Sequence, residues 1–440
     1  MKGCVYLSEY KKHPGLLARE IYNNTQIIMG DHPMNKPMNA CALCGQCTVI
    51  CPNGFDMSQV CKSARENMVS TDKMPLAPHE FALMDMLFSN SEAFLSRLQP
   101  GYETCRYVFF PGCQAGAIAP DVVMQAYEDL SNRVAGGVAL MLGCCGAISE
   151  WAGRYEMTEK VNEQLKQELA KLGDPIIIAG CPSCMKQLKE SIGAHVIGIW
   201  EILREIGLPQ QAKGLEIPVA IHDACGARGD AQTQDMIRQL LSDMGCIVED
   251  TEYSRDLSPC CGYGGLAAYA NKDMAAKMTE KCLERSDAPY ITYCMACRDR
   301  FAREGRESRH ILELLYGANA SNMPDISEKR YNRLILKQTL LKNIWNEESI
   351  MEKKDYTVAY TEEAIHMMDE RMILKSDVER VLSDYRENQE AILDEETKEL
   401  VTRSRLGNVT FWVRFVETEG GYLVHRAYSH RMNIMKRVGQ

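Results

Sequence analysis

Short apolar runs alternate with longer amphipathic segments through most of the chain. The runs "RYVFF", "GVALML", "PIIIAG", "IPVAIH" and "PYITYC" have the length of buried strands, and most of them end at a turn. Segments such as "YEMTEKVNEQLKQELAKLG" and "NKDMAAKMTEKCLERS" lie between them and have helical spacing. This alternation predicts two parallel α/β sheets, whose binding sites form at the carboxyl ends of the strands.

The pattern changes beyond about residue 315. The stretch "GANASNMPDISEKR" is typical of a linker, and "TEEAIHMMDERM" and "KSDVERVLSDYRENQEAILD" predict helices, the second beginning at a serine cap. The segment "NVTFWVRFVETEGGYLVHRAYSH" alternates apolar and polar positions around Gly-Gly, which predicts a β-hairpin. We expect a small α+β module with a docking or dimerising surface.

Composition and charge narrow the class of protein. The chain has 440 residues, of which 45% are hydrophobic and 25% charged, as is typical of a soluble globular protein with several domains. Its longest apolar runs fall far short of the roughly 20 residues that span a bilayer, and the N-terminus lacks a secretory signal. A net charge of −10 without a basic stripe argues against a nucleic-acid partner. We expect a cytoplasmic protein with no transmembrane segment.

Nineteen cysteines without an export signal indicate metal ligation or redox chemistry, because a reducing cytosol disfavours disulfides. The first ordered set, in "CALCGQCTVICP", consists of Cys41, Cys44, Cys47 and Cys51, followed by Pro52. Its C-x2-C-x2-C-x3-C-P spacing is the bacterial ferredoxin pattern and predicts a cubane [4Fe-4S] cluster. In two-cluster ferredoxins the cysteine before the proline ligates the other cluster, so either Cys51 or Cys61 can complete this set, while Cys4 stands alone. Zinc is the alternative, although zinc usually takes two C-x2-C pairs.

A second set of cysteines occurs twice, as an internal repeat. The first copy has Cys113, Cys144, Cys145, Cys181 and Cys184, and the second has Cys225, Cys260, Cys261, Cys294 and Cys297. From Cys113 to Cys225 is 112 positions, and from Cys144 to Cys260 is 116. Five thiols exceed the four corners of a cubane, so one thiol must bridge irons or the cluster must have an unusual shape.

Each copy places two cysteines side by side before a glycine. Adjacent side chains on a strand point to opposite faces, so such a pair can serve one metal centre only where the strand breaks into a turn. Gly146 and Gly262 supply that turn. In "CCGYGG" the further glycines Gly264 and Gly265 leave little side-chain cover, so we expect the second site to be open to thiols.

At these residues the chain resembles the cysteine-rich CCG domain family of iron–sulfur oxidoreductases, known from the heterodisulfide reductase catalytic subunit and from iron–sulfur subunits of glycolate, lactate and glycerol-3-phosphate oxidising systems. The resemblance covers roughly residues 41 to 300. It implies that each five-cysteine set holds a non-cubane [4Fe-4S] cluster and that a disulfide bound between the two clusters is cleaved reductively. The vicinal cysteines are then the candidate catalytic residues, namely Cys144, Cys145, Cys260 and Cys261.

Many family members place a histidine directly after the first cysteine of copy two, where this chain has Gly226. A proton-donor role for that residue is therefore not carried over. His222 lies nearby in the sequence, and we interpret it either as a structural hydrogen-bonding residue or as an acid.

These observations predict an α/β fold. It comprises a small helical ferredoxin-like N-terminal domain, two tandem CCG α/β repeats related by pseudo-two-fold symmetry, and a small α+β C-terminal domain. The predicted boundaries are 1–104, 105–214, 215–318 and 319–440.

Two functional classes remain open. In the first, the protein is an iron–sulfur enzyme of the disulfide reductase type, which receives electrons at the N-terminal cubane from a flavin-containing partner and reduces a small-molecule disulfide. In the second, it is an electron-transfer subunit between a flavin dehydrogenase and a quinone, ferredoxin or other acceptor. The two complete five-thiol motifs favour the enzyme, because a relay requires only ordinary cubanes. They also disfavour a third class, a zinc-scaffolded protein.

Overall fold

The computed structural model describes residues 3–10, 13–25, 35–74, 79–317, 323–347, 355–406 and 409–430. The chain divides into two compact units. The first contains the described residues within Met1–Met323 and Tyr331–Glu347, and the second contains those within Pro324–Arg330 and Glu348–Gln440.

The first unit begins with short helices, as the sequence predicts. Their bounds are α1 Val5–Glu9, α2 Pro14–Asn23, α3 Asn35–Ala40, α4 Gln46–Ile50, α5 Met57–Ser70 and α6 Glu80–Ser89. Pro14 begins α2, where its missing N–H leaves no hydrogen bond unmade. The Asp56 side chain accepts hydrogen bonds from the backbone N–H groups of Ser58 and Gln59, which fixes the start of α5.

The first α/β repeat follows these helices. Its elements are β1 Leu95–Arg97, β2 Tyr107–Phe110, α7 Cys113–Ile118, α8 Pro120–Arg133, β3 Val138–Leu142, α9 Ala147–Trp151, α10 Tyr155–Lys171, β4 Ile176–Ala179, α11 Pro182–Ile192, β5 Val196–Gly198 and α12 Ile199–Ile206. The sheet has the order β1-β3-β2-β4-β5, with β1 antiparallel to β3 and the other pairs parallel. Strands β2 and β3 are buried throughout, as expected where helices cover both faces of a parallel sheet.

The second repeat has the same order of parallel strands. Its elements are β6 Pro218–His222, α13 Ala231–Asp243, β7 Ile247–Asp250, α14 Ala267–Ala270, α15 Lys272–Leu283, β8 Tyr290–Thr292, α16 Met295–Arg303, β9 Ser308–His310 and α17 Ile311–Leu315. The sheet order β7-β6-β8-β9 matches β3-β2-β4-β5 of the first repeat. The two predicted parallel α/β sheets are confirmed, and β1 is an addition to the first.

The segment predicted as a linker, residues 317–330, is only partly irregular. Residues 318–322 lie outside the described residues, and helix α18, Ile326–Trp345, begins inside the segment. Asp325 starts this helix by accepting hydrogen bonds from the backbone N–H groups of Ser327 and Glu328. Leu336 and Leu340 then bury one side of it in the core of the first unit, which explains why the helix forms.

The second unit is the small α+β module that the sequence predicts. It contains β10 Thr357–Tyr360, α19 Glu362–Arg371, α20 Lys375–Asn388, β11 Ile392–Leu393, β12 Leu400–Leu406, β13 Val409–Thr418 and β14 Gly421–His430. The predicted hairpin is formed by β13 and β14, with Thr418 opposite Gly421 at the turn. Helix α20 begins one residue before the expected serine cap, with Leu374 as its N-cap.

The fold class is therefore α/β with two tandem repeats, a helical N-terminal segment and an α+β C-terminal unit. Within the part of the chain that the structure describes, no helix combines the length and the apolar character needed to cross a membrane.

Candidate functional site

The repeated cysteines lie at the carboxyl ends of parallel strands, as sequence reasoning predicts for this sheet type. In the first repeat, Cys113 begins α7 after β2, Cys144 and Cys145 follow β3, and Cys181 and Cys184 lie at the start of α11 after β4. In the second repeat, Cys225 follows β6, Cys260 and Cys261 lie in the connection after β7, and Cys294 and Cys297 lie at the start of α16 after β8. The topology thus collects each set at one edge of its own sheet.

Both vicinal pairs are followed by a left-handed glycine. Gly146 has φ +87° and Gly262 has φ +95°, a backbone conformation that L side chains rarely adopt. A Cβ atom on Gly262 would lie 2.5 Å from the backbone oxygen of Ala275. The structure confirms that these two glycines provide the turns at which both thiols of a pair reach one side of the chain.

The five thiols of the first repeat form a continuous chain of side-chain contacts. The contacts run from Cys113 to Cys144, from Cys144 to Cys145, from Cys145 to Cys184 and from Cys184 to Cys181. All five cysteines are free thiols. They line one cavity of about 560 Å³, together with apolar side chains that include Ile148, Trp151, Tyr263 and Met295.

The second repeat has the same chain of contacts, and the two chains join. The contacts run from Cys225 to Cys260, Cys261, Cys297 and Cys294 in turn. Cys294 then contacts Cys181 of the first repeat. We call these ten residues the ten-thiol array, whose centre is the contact between Cys181 and Cys294.

The pKa values of the thiols in the array differ, in the same way at the vicinal pairs and outer ends of both repeats but in opposite directions at the centre. Hydrogen bonds from two neighbouring thiols lower the pKa of Cys145 to about 6, and they have the same effect on Cys261. At the outer ends, a hydrogen bond to the adjacent thiol and burial raise the pKa of Cys113 and of Cys225 well above the usual range. At the centre, hydrogen bonds with Cys184 and Cys294 lower the pKa of Cys181 well below its usual range, whereas the hydrogen bond with Cys181 raises that of Cys294. The second cysteine of each vicinal pair and Cys181 are therefore the thiols most ready to carry negative charge.

The chemistry of this donor set fits iron–sulfur clusters. Soft thiolate ligands select zinc, copper(I) or iron–sulfur groups, and a tetrahedral zinc site takes four ligands. Two adjoining sets of five thiols exceed that number. Buried thiolates also need nearby positive charge, which a cluster of irons supplies.

The N-terminal cysteines form a third set. Left-handed Leu43 (φ +51°) and Gly45 (φ +71°) curl the loop that carries Cys41 and Cys44, and Cys47 follows on α4. These three cysteines line one cavity of about 460 Å³, to which Cys4 and Cys260 also contribute. Cys51 ends α4 and does not line this cavity. It lines a neighbouring one, to which Cys4 and Cys47 also contribute. Cys61 is fully buried and contacts Cys41 without lining the first cavity.

The N-terminal set packs against the second repeat. The Arg228 guanidinium donates a 2.8 Å hydrogen bond to the backbone oxygen of Cys44, and the Gln46 amide donates a 2.6 Å bond to that of Leu257. A Cβ atom on Gly265 would lie 2.5 Å from the backbone carbon of Ala42. The glycines of "GYGG" therefore admit the Cys41 loop. Gly264 and Gly265 were expected to leave the cysteine site of the second repeat open to thiols. The structure corrects this expectation, because the Cys41 loop covers both glycines.

Arg65 connects the three cysteine sets through the backbone. Its guanidinium is completely buried and donates hydrogen bonds to the carbonyl oxygens of Met38, Asn39, Cys41, Trp151 and Gly265. Trp151 belongs to the first repeat and Gly265 to the second. Sequence reasoning missed Arg65, since a single arginine in a helix gives no signal of such partners.

His222 is placed inside the second set. One ring nitrogen of this buried histidine and the sulfurs of Cys261 and Cys297 lie within 4.8 Å of one another. Its Nε2 has no hydrogen-bond partner among the described residues, and burial lowers its pKa to about 4. At Gly226 a Cβ atom would lie 2.7 Å from the backbone nitrogen of Ser183, which explains why this position carries no side chain.

Family models match the N-terminal segment and both α/β repeats. A 4Fe-4S dicluster domain matches residues 1–56, and a cysteine-rich domain, CCG, matches residues 107–189 and 219–301. These matches indicate that the chain holds iron–sulfur clusters. They coincide with the N-terminal set and with the two α/β repeats.

Curated relatives are similar over about two thirds of the chain. An uncharacterised iron–sulfur protein of Methanococcus maripaludis is 25% identical over 66% of this chain and 63% of its own length. A subunit of the dihydromethanophenazine:CoB–CoM heterodisulfide reductase of Methanosarcina acetivorans is 22% identical over 68% of this chain and 80% of its own. A fumarate reductase (CoM/CoB) subunit of Methanothermobacter marburgensis is 25% identical over 62% of this chain and 60% of its own.

No solved structure matches the chain. The relatives named as reductases are each named as a subunit. The chain therefore carries a 4Fe-4S dicluster domain followed by two cysteine-rich CCG domains, and it is similar to the matching heterodisulfide reductase subunit.

Proposed function

We propose that this chain is an iron–sulfur oxidoreductase that reduces a disulfide at its paired five-cysteine sites. The observation that carries the proposal is the ten-thiol array, in which the two sets meet at Cys181 and Cys294. An electron relay needs redox groups within tunnelling range, but it does not need two five-thiol sets in contact. A substrate sulfur pair placed at the centre of the array meets both sets at once.

Each five-cysteine set is proposed to hold a non-cubane [4Fe-4S] cluster, and the N-terminal set a cubane. When bound, such clusters supply one-electron transfer and an iron that can accept a substrate sulfur. The overall reaction takes two electrons and two protons per disulfide, breaks the sulfur–sulfur bond and releases two thiols. The vicinal pairs, with Cys145 and Cys261 as their more acidic members, are the proposed catalytic cysteines.

The order of the sites supports electron entry at the N-terminus. Cys260 of the second repeat lines the N-terminal cavity, and Cys44 is close enough to Cys225 for their charges to interact. Arg228 holds the loop of Cys44 against this repeat. Redox groups held by the three sets would therefore follow the order N-terminal set, second repeat, first repeat.

The cavity of the first repeat supports substrate approach from that side. Trp151 and Tyr263 form an edge-to-face pair, with ring centroids 6.4 Å apart, in the lining of the cavity. Ile148 and Met295 add further apolar lining and are themselves buried. Such walls exclude water from the thiols and favour an uncharged sulfur group over a hydrated ion.

The electron donor is proposed to be a flavin-containing partner subunit, and the relatives' status as reductase subunits supports a partner of some kind. The similarity to a fumarate reductase subunit favours the alternative function, an electron-transfer subunit for another catalytic partner. The CoB–CoM heterodisulfide named for one relative is the first substrate to test.

The experiment is disulfide reduction under anaerobic conditions, with a reduced viologen dye as donor and release of thiols as the readout. We expect the wild-type protein to release two thiols per disulfide. Cys145→Ser and Cys261→Ser are expected to abolish the release, because each removes the thiol between two neighbours of its set.

Cys246→Ser is the matched control. Cys246 is a buried free thiol outside all three sets, so this variant is expected to retain the activity. Release of thiols by both set variants would overturn the proposal. Transfer of electrons from the dye to another acceptor without any thiol release would favour the relay.

A further inference from the structure

We propose that Cys4 is the fourth ligand of the N-terminal cluster, together with Cys41, Cys44 and Cys47, and that Cys51 does not bind that cluster. This inference rests on the proposed function only in requiring a cluster at the N-terminal set. No family model or relative assigns the residue.

The first observation is the cavity. Cys4, Cys41, Cys44 and Cys47 all line the same space of about 460 Å³. Cys260 also lines this space but belongs to the ten-thiol array. The other four thiols are the number that a cubane requires.

The second observation is the register of the sequence. In two-cluster ferredoxins, the three closely spaced cysteines of one run share their cluster with the proline-linked cysteine of the other run. The same spacing applied to the residues before Pro14 falls on Gly3, Tyr6, Glu9 and His13. None of these four positions holds a cysteine, so they supply no partner thiol for Cys41, Cys44 and Cys47. Cys4, which directly follows the first of these positions, is the thiol that this segment offers.

Cys51 is the cysteine directly before the proline of its run. In two-cluster ferredoxins the cysteine at that position ligates the other cluster. Its thiol instead accepts hydrogen bonds from the backbone N–H groups of residues 53 to 55. It does not line the space of about 460 Å³ that Cys41 and Cys44 line. It lines a neighbouring, larger space of about 1180 Å³, to which Cys4 and Cys47 also contribute.

Cys61 is the other candidate for the fourth ligand from the sequence, and its contacts indicate a packing role instead. Its sulfur lies 3.5 Å from the Tyr6 hydroxyl oxygen, and both residues are buried. It contacts Cys41 but does not line the cavity that Cys4 lines. This places Cys61 as a neighbour that packs behind Cys41.

The helix that follows Cys4 fixes its position. Cys4 is the N-cap of α1, and Tyr6 and Leu7 of that helix are buried in the N-terminal core. Glu9 at the end of α1 forms a 2.7 Å ion pair with Lys277 of α15. A ligand supplied from α1 would therefore also hold the N-terminus onto the second repeat.

The test replaces one cysteine at a time by alanine in the full-length protein, with anaerobic iron analysis and electron paramagnetic resonance of the dithionite-reduced protein. Cys4→Ala is expected to lose the reduced cubane signal and up to about four irons per chain, as Cys44→Ala does. Cys51→Ala and Cys61→Ala are the matched controls and are expected to keep both. A cubane signal that survives Cys4→Ala, or disappears in Cys51→Ala, overturns the assignment.

Alkylation of the wild-type protein provides a test that does not depend on folding of a variant. Under anaerobic conditions iodoacetamide is expected to label Cys51 in the intact protein, and Cys4 only after the iron has been chelated. Labelling of Cys4 in the intact protein with Cys51 protected overturns the inference. A wild-type protein without any N-terminal cluster would instead refute the proposed cofactor, so the two failures are distinguishable.

Discussion

Arg65 is a buried cation whose hydrogen bonds go to backbone oxygens of three segments of the first unit. Its neighbours include the thiols of Cys41 and Cys61, whose negative charge would favour the guanidinium. Burial opposes that charge and lowers the pKa of Arg65. The residue therefore joins the N-terminal loop to both repeats, and its charge suits a site rich in thiolates.

Replacing Arg65 by methionine should destabilise the protein. Five carbonyl oxygens would lose their donor, so we expect a loss of about 3 kcal/mol or more in the free energy of unfolding. This corresponds to a melting temperature lower by about 5 °C, measured anaerobically. Arg65→Lys keeps the positive charge but loses the planar set of five N–H donors. Its melting temperature should therefore lie between those of the wild type and Arg65→Met. A melting temperature equal to that of the wild type would contradict this account.

Replacing His222 should change the reduction potential of only the cluster proposed for the second repeat. It ends β6, and the equivalent strand of the first repeat, β2, ends with Phe110. His222→Phe therefore makes the two repeats alike. If the imidazole donates a hydrogen bond to a cluster sulfur, its loss should lower the reduction potential of one cluster by about 40 mV, the equivalent of about 1 kcal/mol.

The measurement is a redox titration followed by electron paramagnetic resonance, in which the first repeat provides an internal reference. Equal potentials in wild type and His222→Phe would show that the histidine only fills space beside Phe301, against which its ring packs.

At the scale of elements, the two repeats differ in what their vicinal-cysteine turns contact. The turn of the second repeat continues through Gly264 and Gly265 and packs against Ala42 of the N-terminal loop. In the first repeat the corresponding turn leads directly into α9, Ala147–Trp151. Gly264 and Gly265 thus allow the backbone of this turn to approach the backbone of Ala42 more closely than a residue with a side chain would permit.

Gly265→Ala should separate the N-terminal loop from the second repeat. Its Cβ atom would lie 2.5 Å from the Ala42 carbon, and the residue has φ +57°. We expect a destabilisation of about 2–3 kcal/mol and partial loss of iron from the N-terminal set.

Gly193→Ala is the matched control for this substitution. Gly193 has φ +66°, but nothing lies within 4 Å of its added Cβ atom, so only backbone strain remains. Equal losses of stability and iron in the two variants would mean that the close approach at Gly265 is unimportant.

Sequence patterns predicted the regular elements well, because strand length and helical spacing follow from burial. Strands β2, β3, β4, β6 and β8 and the hairpin of β13 and β14 were all predicted. The start of α18 was missed, since its capping residue Asp325 lies in a stretch with the composition of a loop. The contact between Cys181 and Cys294 could not be predicted either, because it depends on how the two repeats pack.

The same limit applies to Cys4. A single cysteine outside any spaced motif gives no signal until the fold places it beside Cys41, Cys44 and Cys47. The ligand roles of the motif cysteines stay predictions, although the structure brings most of them together. The division at 1–104, 105–214, 215–318 and 319–440 also stays a prediction.

At the scale of the whole molecule, the number of clusters follows from counting thiols. One four-thiol set and two five-thiol sets should hold about twelve irons per chain, at four irons per cluster. Anaerobic metal analysis measures this number directly, and zinc should be negligible. About four irons, or a predominance of zinc, would contradict the assignment of three iron–sulfur sites.

The central claim is that the ten-thiol array reacts with sulfur compounds, and its most direct test is electron paramagnetic resonance of the oxidised protein before and after a thiol is added. We predict that the thiol changes the spectrum, that Cys145→Ala or Cys261→Ala removes the change, and that Cys246→Ala retains it. In the dithionite-reduced protein, the N-terminal cubane signal should remain in all three variants. If no thiol or disulfide perturbs the spectrum, while the protein still passes electrons from a flavoprotein to another acceptor, the account is contradicted and the chain is a relay.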